Sequence, residues 1–189
     1  METLLSPGSF VYNNVIFVKG AMIMLSKRLE KALNDQIVRE LESAYVYLSM
    51  CAYFEAQNLR GMAHWMRLQA QEEIKHAMKI FDFVNDRGGR VELGPIAKPP
   101  IDFKSPLDAF QKALAHEQKI TKYINDLYDL ADDEDDYPTE VMLQWFIEEQ
   151  VEEEKSASEV VEQLKLVGES GAGVMILDQK LGQREAEDD

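Results

Sequence analysis

The stretch QAQEEIKHAMKIF, Gln69 to Phe81, has the spacing of an amphipathic helix but unexpected residues at its centre. Counting by threes and fours from Leu59 gives Met62, Met66, Gln69, Glu73, His76, Ile80 and Phe83, one continuous helix face. Glu73 and His76 therefore stand where apolar side chains are expected. A core accepts an anion and an imidazole only when something compensates them.

Upstream, Leu25 to about Gln57 contains no proline or glycine, and Leu29, Leu33, Gln36, Glu40, Ser43, Tyr47, Met50 and Phe54 recur at helical spacing. NLRG (58–61) separates this first helix from the second, about Met62 to Arg87, which Gly88-Gly89 ends. At 1.5 Å per residue each is ~40 to 50 Å long. The segment GGRVELGPIAKPPIDFK (88–104) is rich in glycine and proline and incompatible with a helix. Ser105-Pro106-Leu107-Asp108 then supplies a cap, a first-turn proline and an acidic third position, opening a third helix toward Leu130. Its stripe is Leu107, Phe110, Leu114, Glu117, Thr121, Ile124 and Tyr128. After DDEDDYP (132–138) a fourth helix runs from Pro138 to about Val167, GESGAG forms a hinge, and VMILDQKLGQR reads as a short fifth helix.

Loop lengths decide the topology. The short first and third links make antiparallel hairpins. The middle link, about 16 residues at up to ~3.5 Å each, spans a long helix, so the second and third helices can run parallel. The expected fold is all-α: a four-helix bundle, up-down-down-up with one long crossover, plus a short C-terminal helix. The domain reading is an extension at 1–23, the bundle at 24–167, and hinge, short helix and acidic tail at 168–189.

Composition narrows the function classes. A chain of 189 residues, 46% hydrophobic and 29% charged, suits one globular domain rather than disorder. The formal charge of -15 repels nucleic acid and anionic lipid and concentrates cations, so neither nucleic acid nor membrane is an expected partner. A lone cysteine, Cys51, excludes a disulfide framework and a four-cysteine metal centre, and fits a reducing cytoplasm. No apolar run approaches the ~20 residues that cross a bilayer. FVYNNVIFV (10–18) lacks a basic leader and is broken by Asn13-Asn14, unlike a secretory signal.

All four long helices carry acid on the apolar stripe: Glu40 in the first, Glu73 with His76 in the second, Glu117 in the third. In the fourth, WFIEEQVEEEK (145–155) sets Gln150 and Glu153 three apart beside Phe146, Ala157 and Val160. A three-residue step puts both side chains on one face, so Glu73-His76 and Gln150-Glu153 can each grip one site. The remaining acids of that run read as solvated. An unpaired ionised carboxylate in a core costs several kcal/mol, and four exceed the ~5 to 15 kcal/mol that holds a domain together. Glu40, Glu73, Glu117 and Glu153 bring four negative charges, which two divalent cations cancel. Oxygen-rich ligands with one imidazole and no thiolate favour iron or manganese, though zinc also binds such sets.

Taken in order, RELESAYVYL, QAQEEIKHAM, AHEQKI, DYPTEVMLQWFIEEQVEEE and the late LDQKL resemble the non-heme ferritins of bacteria and archaea, from about Leu25 to Arg184. Ferritin-like folds are a known instance of the one-crossover bundle. The resemblance implies a ferroxidase that stores iron. Glu40, Glu73 and His76 would surround one iron, and Glu73, Glu117 and Glu153 a second, with Gln150 close by. Glu72, Glu149 and Glu152 match an additional iron position toward the inner surface. Tyr47 and Trp145 match neighbouring aromatics, and Trp145 reads equally well as core packing. The resemblance also implies Fe(II) and O2 or H2O2 as reactants and ferric mineral in a shell of about twenty-four subunits.

Two features depart from the family pattern. Glu42 stands where many relatives have an aromatic, which alters a surface or subunit contact. Residues 1–23 have no counterpart. They read as sequence upstream of a start at Met22 or Met24, a disordered arm, or a hairpin about Asn13-Asn14, the first being preferred. The acids Asp132 to Asp136, with Glu140, read either as an iron-attracting funnel or as a soluble turn with helix-start acids. A heme-bearing bacterioferritin would carry E-x-x-H where this chain has Gln150-x-x-Glu153, and methionine in place of Ile74, so no heme is expected. A metal-free interaction bundle would turn its acids to solvent. His64 and His116 are not assigned as ligands.

Overall fold

In the computed structural model, residues 9–12, 15–18, 24–168 and 170–186 are described. Strand β1 (Ser9–Tyr12) pairs antiparallel with β2 (Val15–Val18), Tyr12 opposite Val15. Residues 1–8, 13–14 and 19–23 lie outside the described residues, and with them most of what was expected for the extension. Five helices follow: α1 (Lys27–Ala56), α2 (Arg60–Asp86), α3 (Pro106–Asp133), α4 (Tyr137–Val167) and α5 (Gly171–Leu181). The expected four-helix bundle with a short C-terminal helix is what forms. Among the described residues no helix is long and apolar enough to cross a membrane.

Local chemistry sets the helix ends. Ser26 caps α1, its hydroxyl accepting from Leu29 N at 3.0 Å, and Ser105 caps α3 through Asp108 N at 3.1 Å. The α1–α2 turn places Asn58 at φ 59, a left-handed conformation that asparagine tolerates. Helix α3 continues to Asp133, past the expected stop near Leu130, so Asp132 and Asp133 belong to its last turn. Asp136 is not free to draw in cations. Its carboxylate is buried, accepts from Arg87 at 2.8 and 2.9 Å, and caps α4 through Thr139 N at 3.1 Å. Those contacts hold its carboxyl below the usual range, with Arg87 the largest cause.

The buried stripes divide the core in two. One apolar cluster contains Tyr47, Met50 and Phe54 of α1, Met62 and Met66 of α2, Phe110 of α3 and Val160 of α4. The other contains Leu29, Leu33 and Ile37 of α1, Ile80 and Val84 of α2, Ile120 and Ile124 of α3, and Phe146 of α4. In chain direction, α1 and α4 run from the second cluster to the first, whereas α2 and α3 run from the first to the second. That order is the up-down-down-up arrangement. The chain between α2 and α3 must therefore return along the bundle, and it climbs α1. Asn34 bonds Arg90 O at 2.9 Å and Glu92 N at 3.0 Å, Ser49 donates to Pro100 O at 2.6 Å, and Phe103 stacks edge-on against Tyr53 at 5.1 Å.

Helix α5 closes the end where α2 begins. Leu59 gives α2 no side-chain cap. Asp178 of α5 does so instead, its Oδ1 accepting from Met62 N at 2.9 Å. The approach is close enough that a Cβ on Gly61 would sit 1.6 Å from Asp178 O. Gly61→Ala is expected to push α5 off α2 and lower stability by about 1–3 kcal/mol. Thermal unfolding and hydrogen exchange across Gly171–Leu181 would check this, and unchanged protection there would contradict the docking argument.

Candidate metal centre

Between the two apolar clusters the inward faces turn polar. Helix α1 contributes Gln36, Glu40 and Ser43, α2 Gln69, Glu73 and His76, α3 Glu117, and α4 Gln150 and Glu153, all buried. Each set lies near the middle of its helix, where equal spacing from either cluster brings the four midpoints level. The carboxylates face one another rather than solvent, which is not the arrangement of a metal-free interaction bundle.

Glu40, Glu73 and His76 each offer a ligand atom, all within 4.8 Å of one another. His76 Nδ1 lies 3.6 Å from Glu73 Oε2. Gln36 Nε2 donates to Glu40 Oε1 at 2.7 Å and is itself oriented by Arg39, whose Nη1 donates to Gln36 Oε1 at 3.0 Å. Among the described residues no donor reaches Glu40 Oε2 or Glu73 Oε2. Without a cation, burial raises both carboxyls, and the charges of Glu117 and Glu40 raise Glu73 further.

Glu117 is held differently. The Tyr47 hydroxyl donates to its Oε1, and Gln150 Nε2 lies 3.4 Å from Oε2 and 3.3 Å from the Glu117 carbonyl. The expected set of Glu73, Glu117 and Glu153 is therefore not gathered at a common ligand distance. Glu153 groups instead with His76 and Glu149, within the same 4.8 Å. The Tyr47 hydroxyl and the Gln150 amide lie against the two Glu117 oxygens. Glu117 still acts on both neighbours through its charge.

The remaining predicted residues are dispersed. Glu72 is buried against Arg184, whose Nη2 donates to Glu72 Oε2 at 2.8 Å. Glu152 is exposed, 4.0 Å from Lys155. Glu149 and Glu152 line a cavity that Arg184, the partner of Glu72, also borders. Trp145 stands edge-on to His76 at 5.4 Å beneath the Lys79 ammonium at 4.0 Å, so it packs against a candidate ligand. His116 places Nε2 2.7 Å from Ser43 Oγ, and burial lowers its pKa to about 4. His64 bonds the Arg184 carbonyl at 2.9 Å. Arg184 had no sequence signal, since it lies beyond α5 and reaches the centre only through folding.

Burial dominates the electrostatics. It pushes Glu40 and Glu117 up to about 7, and lifts Glu73 and Glu153 well above the carboxylate range with help from the charge of Glu117. Burial also raises Tyr47 well above the usual phenol value, followed by the charges of Glu117 and Glu153, so its hydroxyl remains a donor. For Glu40 and Glu117 the folded value, about 7, exceeds the 4.5 of a free glutamate. Their contribution to stability is full below 4.5 and is lost as pH rises through about 7. The melting temperature of metal-stripped protein is expected to fall between about pH 5 and about pH 8, with Glu40→Gln flattening the slope and a bound divalent cation abolishing it. A melting temperature independent of pH in the stripped protein would contradict the burial argument.

Comparison with known proteins agrees with this fold. The Ferritin family, described as a ferritin-like domain, matches residues 30–167. A bacterial non-heme ferritin of Bacteroides fragilis is 40% identical over 161 residues, covering 85% of this chain and 100% of the relative. One from Staphylococcus aureus is 37% identical, covering 85% and 97%. Among solved structures, an open pore ferritin from Archaeoglobus fulgidus superposes with a TM-score of 0.84 at 48% identity, covering 85% of this chain and 99% of that one. A match spanning the whole bundle, with relatives aligned over nearly their full length, makes this chain a member of the ferritin family.

Proposed function

We propose that the chain is an iron-storage ferritin with ferroxidase activity. It oxidises Fe(II) to Fe(III) with O2 or H2O2 at an intra-subunit pair of iron positions and deposits ferric mineral inside an oligomeric shell. The observation that carries this reading is the dry midpoint of the bundle, where Glu40 Oε2 and Glu73 Oε2 lack donors beside the His76 imidazole. A donor set of carboxylates with one imidazole and no thiolate suits iron. The relatives described as ferritins support iron as the cargo.

In this reading Glu40, Glu73 and His76 take one Fe(II), and Glu73 reaches toward a second held by Glu117 and Glu153 with Gln150 alongside. Cation binding displaces the protons that burial keeps on these carboxyls, which turns a costly set of acids into a high-affinity one. Tyr47 holds Glu117 in place through its hydroxyl. Each Fe(II) gives up one electron to the oxidant, and the product hydrolyses and passes to the shell interior. Heme has no part in this reading.

A closed shell of about twenty-four subunits is the assembly we infer. Exposed apolar side chains, among them Tyr45, Leu48, Leu93 and Ile96, supply area for subunit contacts. The single buried Cys51 suits the cytoplasm.

Anaerobic Fe(II) titration followed by addition of O2 tests the proposal. Tight binding and rapid ferric absorbance are expected in the unaltered protein. His76→Ala and Glu73→Ala should each slow the initial oxidation by at least ~10-fold while helix content and assembled mass persist. Oxidation at an undiminished rate in both variants would remove the assigned centre.

A further inference from the structure

The C-terminal segment beyond α5 delivers a positive charge to the metal centre. Arg184, three residues past Leu181, reaches back to α2 with its side chain 19% exposed against a Glu72 side chain 10% exposed. Nη2 donates to Glu72 Oε2 at 2.8 Å, and Nη1 donates to Gln69 Oε1. Trp65 lies beneath the guanidinium, with its ring centroid 5.0 Å away, and His64 holds the Arg184 carbonyl at 2.9 Å. The residue is thus anchored through main chain, charge and ring face together.

Its position has two chemical consequences. A guanidinium only donates, so it fixes the Gln69 amide with oxygen toward itself and nitrogen toward α4. There Gln69 Nε2 donates to Glu153 Oε2 and uses one of that carboxylate's acceptor sites. Arg184 also borders a cavity of about 200 Å³ lined by Glu149, Glu152, Glu153 and Glu159. Among the described residues α2 and α4 do not meet through their backbones, whereas α5 contacts both, and this cavity lies at the rim of the centre, beside Glu153.

We propose that Arg184 is a tethered counter-cation: it occupies the place a further metal ion would take beside Glu72, and through Gln69 it positions Glu153 for the metal-binding set. This rests on the metal-centre reading above. The chain then neutralises its rim acids partly with a fixed protein charge, and α5 docking controls that charge. A fixed positive charge at this distance opposes any dication approaching Glu72.

Zn(II), which is redox-inert, is the probe. By isothermal titration, assembled Arg184→Gln is expected to bind one more Zn(II) per subunit than the unaltered protein, and Arg184→Lys, which keeps the charge, is expected not to. Crystals of the unaltered protein soaked in Zn(II) should retain the Arg184–Glu72 contact, with no anomalous-scattering peak against Glu72. Equal stoichiometry in Arg184→Gln and the unaltered protein would overturn this inference alone. So would a peak at Glu72 in the unaltered crystals, whatever the stability of the variants. Absence of any Zn(II) binding to the unaltered protein would overturn the metal-centre reading and this inference with it.

Discussion

Mutual repulsion among carboxylates confined to a dry space governs this molecule. Glu40, Glu73, Glu117 and Glu153 are all buried at one level of the bundle, and an ionised carboxylate there is tolerated only beside a donor, a proton or a cation. The two apolar clusters above and below hold the four rods at a fixed separation, so the acids cannot escape by spreading. A protein selected for stability alone would fill that level with leucine. The same constraint that makes acids costly there makes a candidate cation site.

The protein answers part of the charge itself. Gln36 satisfies one oxygen of Glu40, Tyr47 and Gln150 attend to Glu117, and Gln69 donates to Glu153. These donors are neutral and orient the carboxylates without cancelling them. Glu40 Oε2 and Glu73 Oε2 are left over, and they face the His76 imidazole. At the rim the solution differs, for Arg184 supplies a formal charge to Glu72. The centre is therefore graded, with neutral donors around its middle and a protein cation at its rim.

Helix α5 ties this rim to the bundle. It caps α2 through Asp178, relies on the missing side chain of Gly61 for its close approach, and sets the segment from which Arg184 returns. A single docking contact thus bears on helix-end energetics and on the electrostatics of the centre some residues away along α2. Asp136 illustrates the opposite case. Within a run of acids that reads as a cation funnel, it is committed to Arg87 and to the α4 cap.

Periodicity made the helices, their buried faces and the level of the acids legible, because a stripe such as Leu29, Leu33, Gln36, Glu40, Ser43, Tyr47, Met50 and Phe54 is a local property of one helix. Loop length made the crossover legible, since only a long link returns along a long helix. The sequence by itself therefore determined the rods, their order and the residues at their midpoints. Which oxygen stands beside which was decided only in the tertiary structure: Glu153 with His76 and Glu149, Glu117 with Tyr47 and Gln150, Glu72 with Arg184. The physical reason is competition for acceptors. Donors from separate elements contend for each carboxylate, and a residue such as Arg184 enters that contest only after α5 has packed.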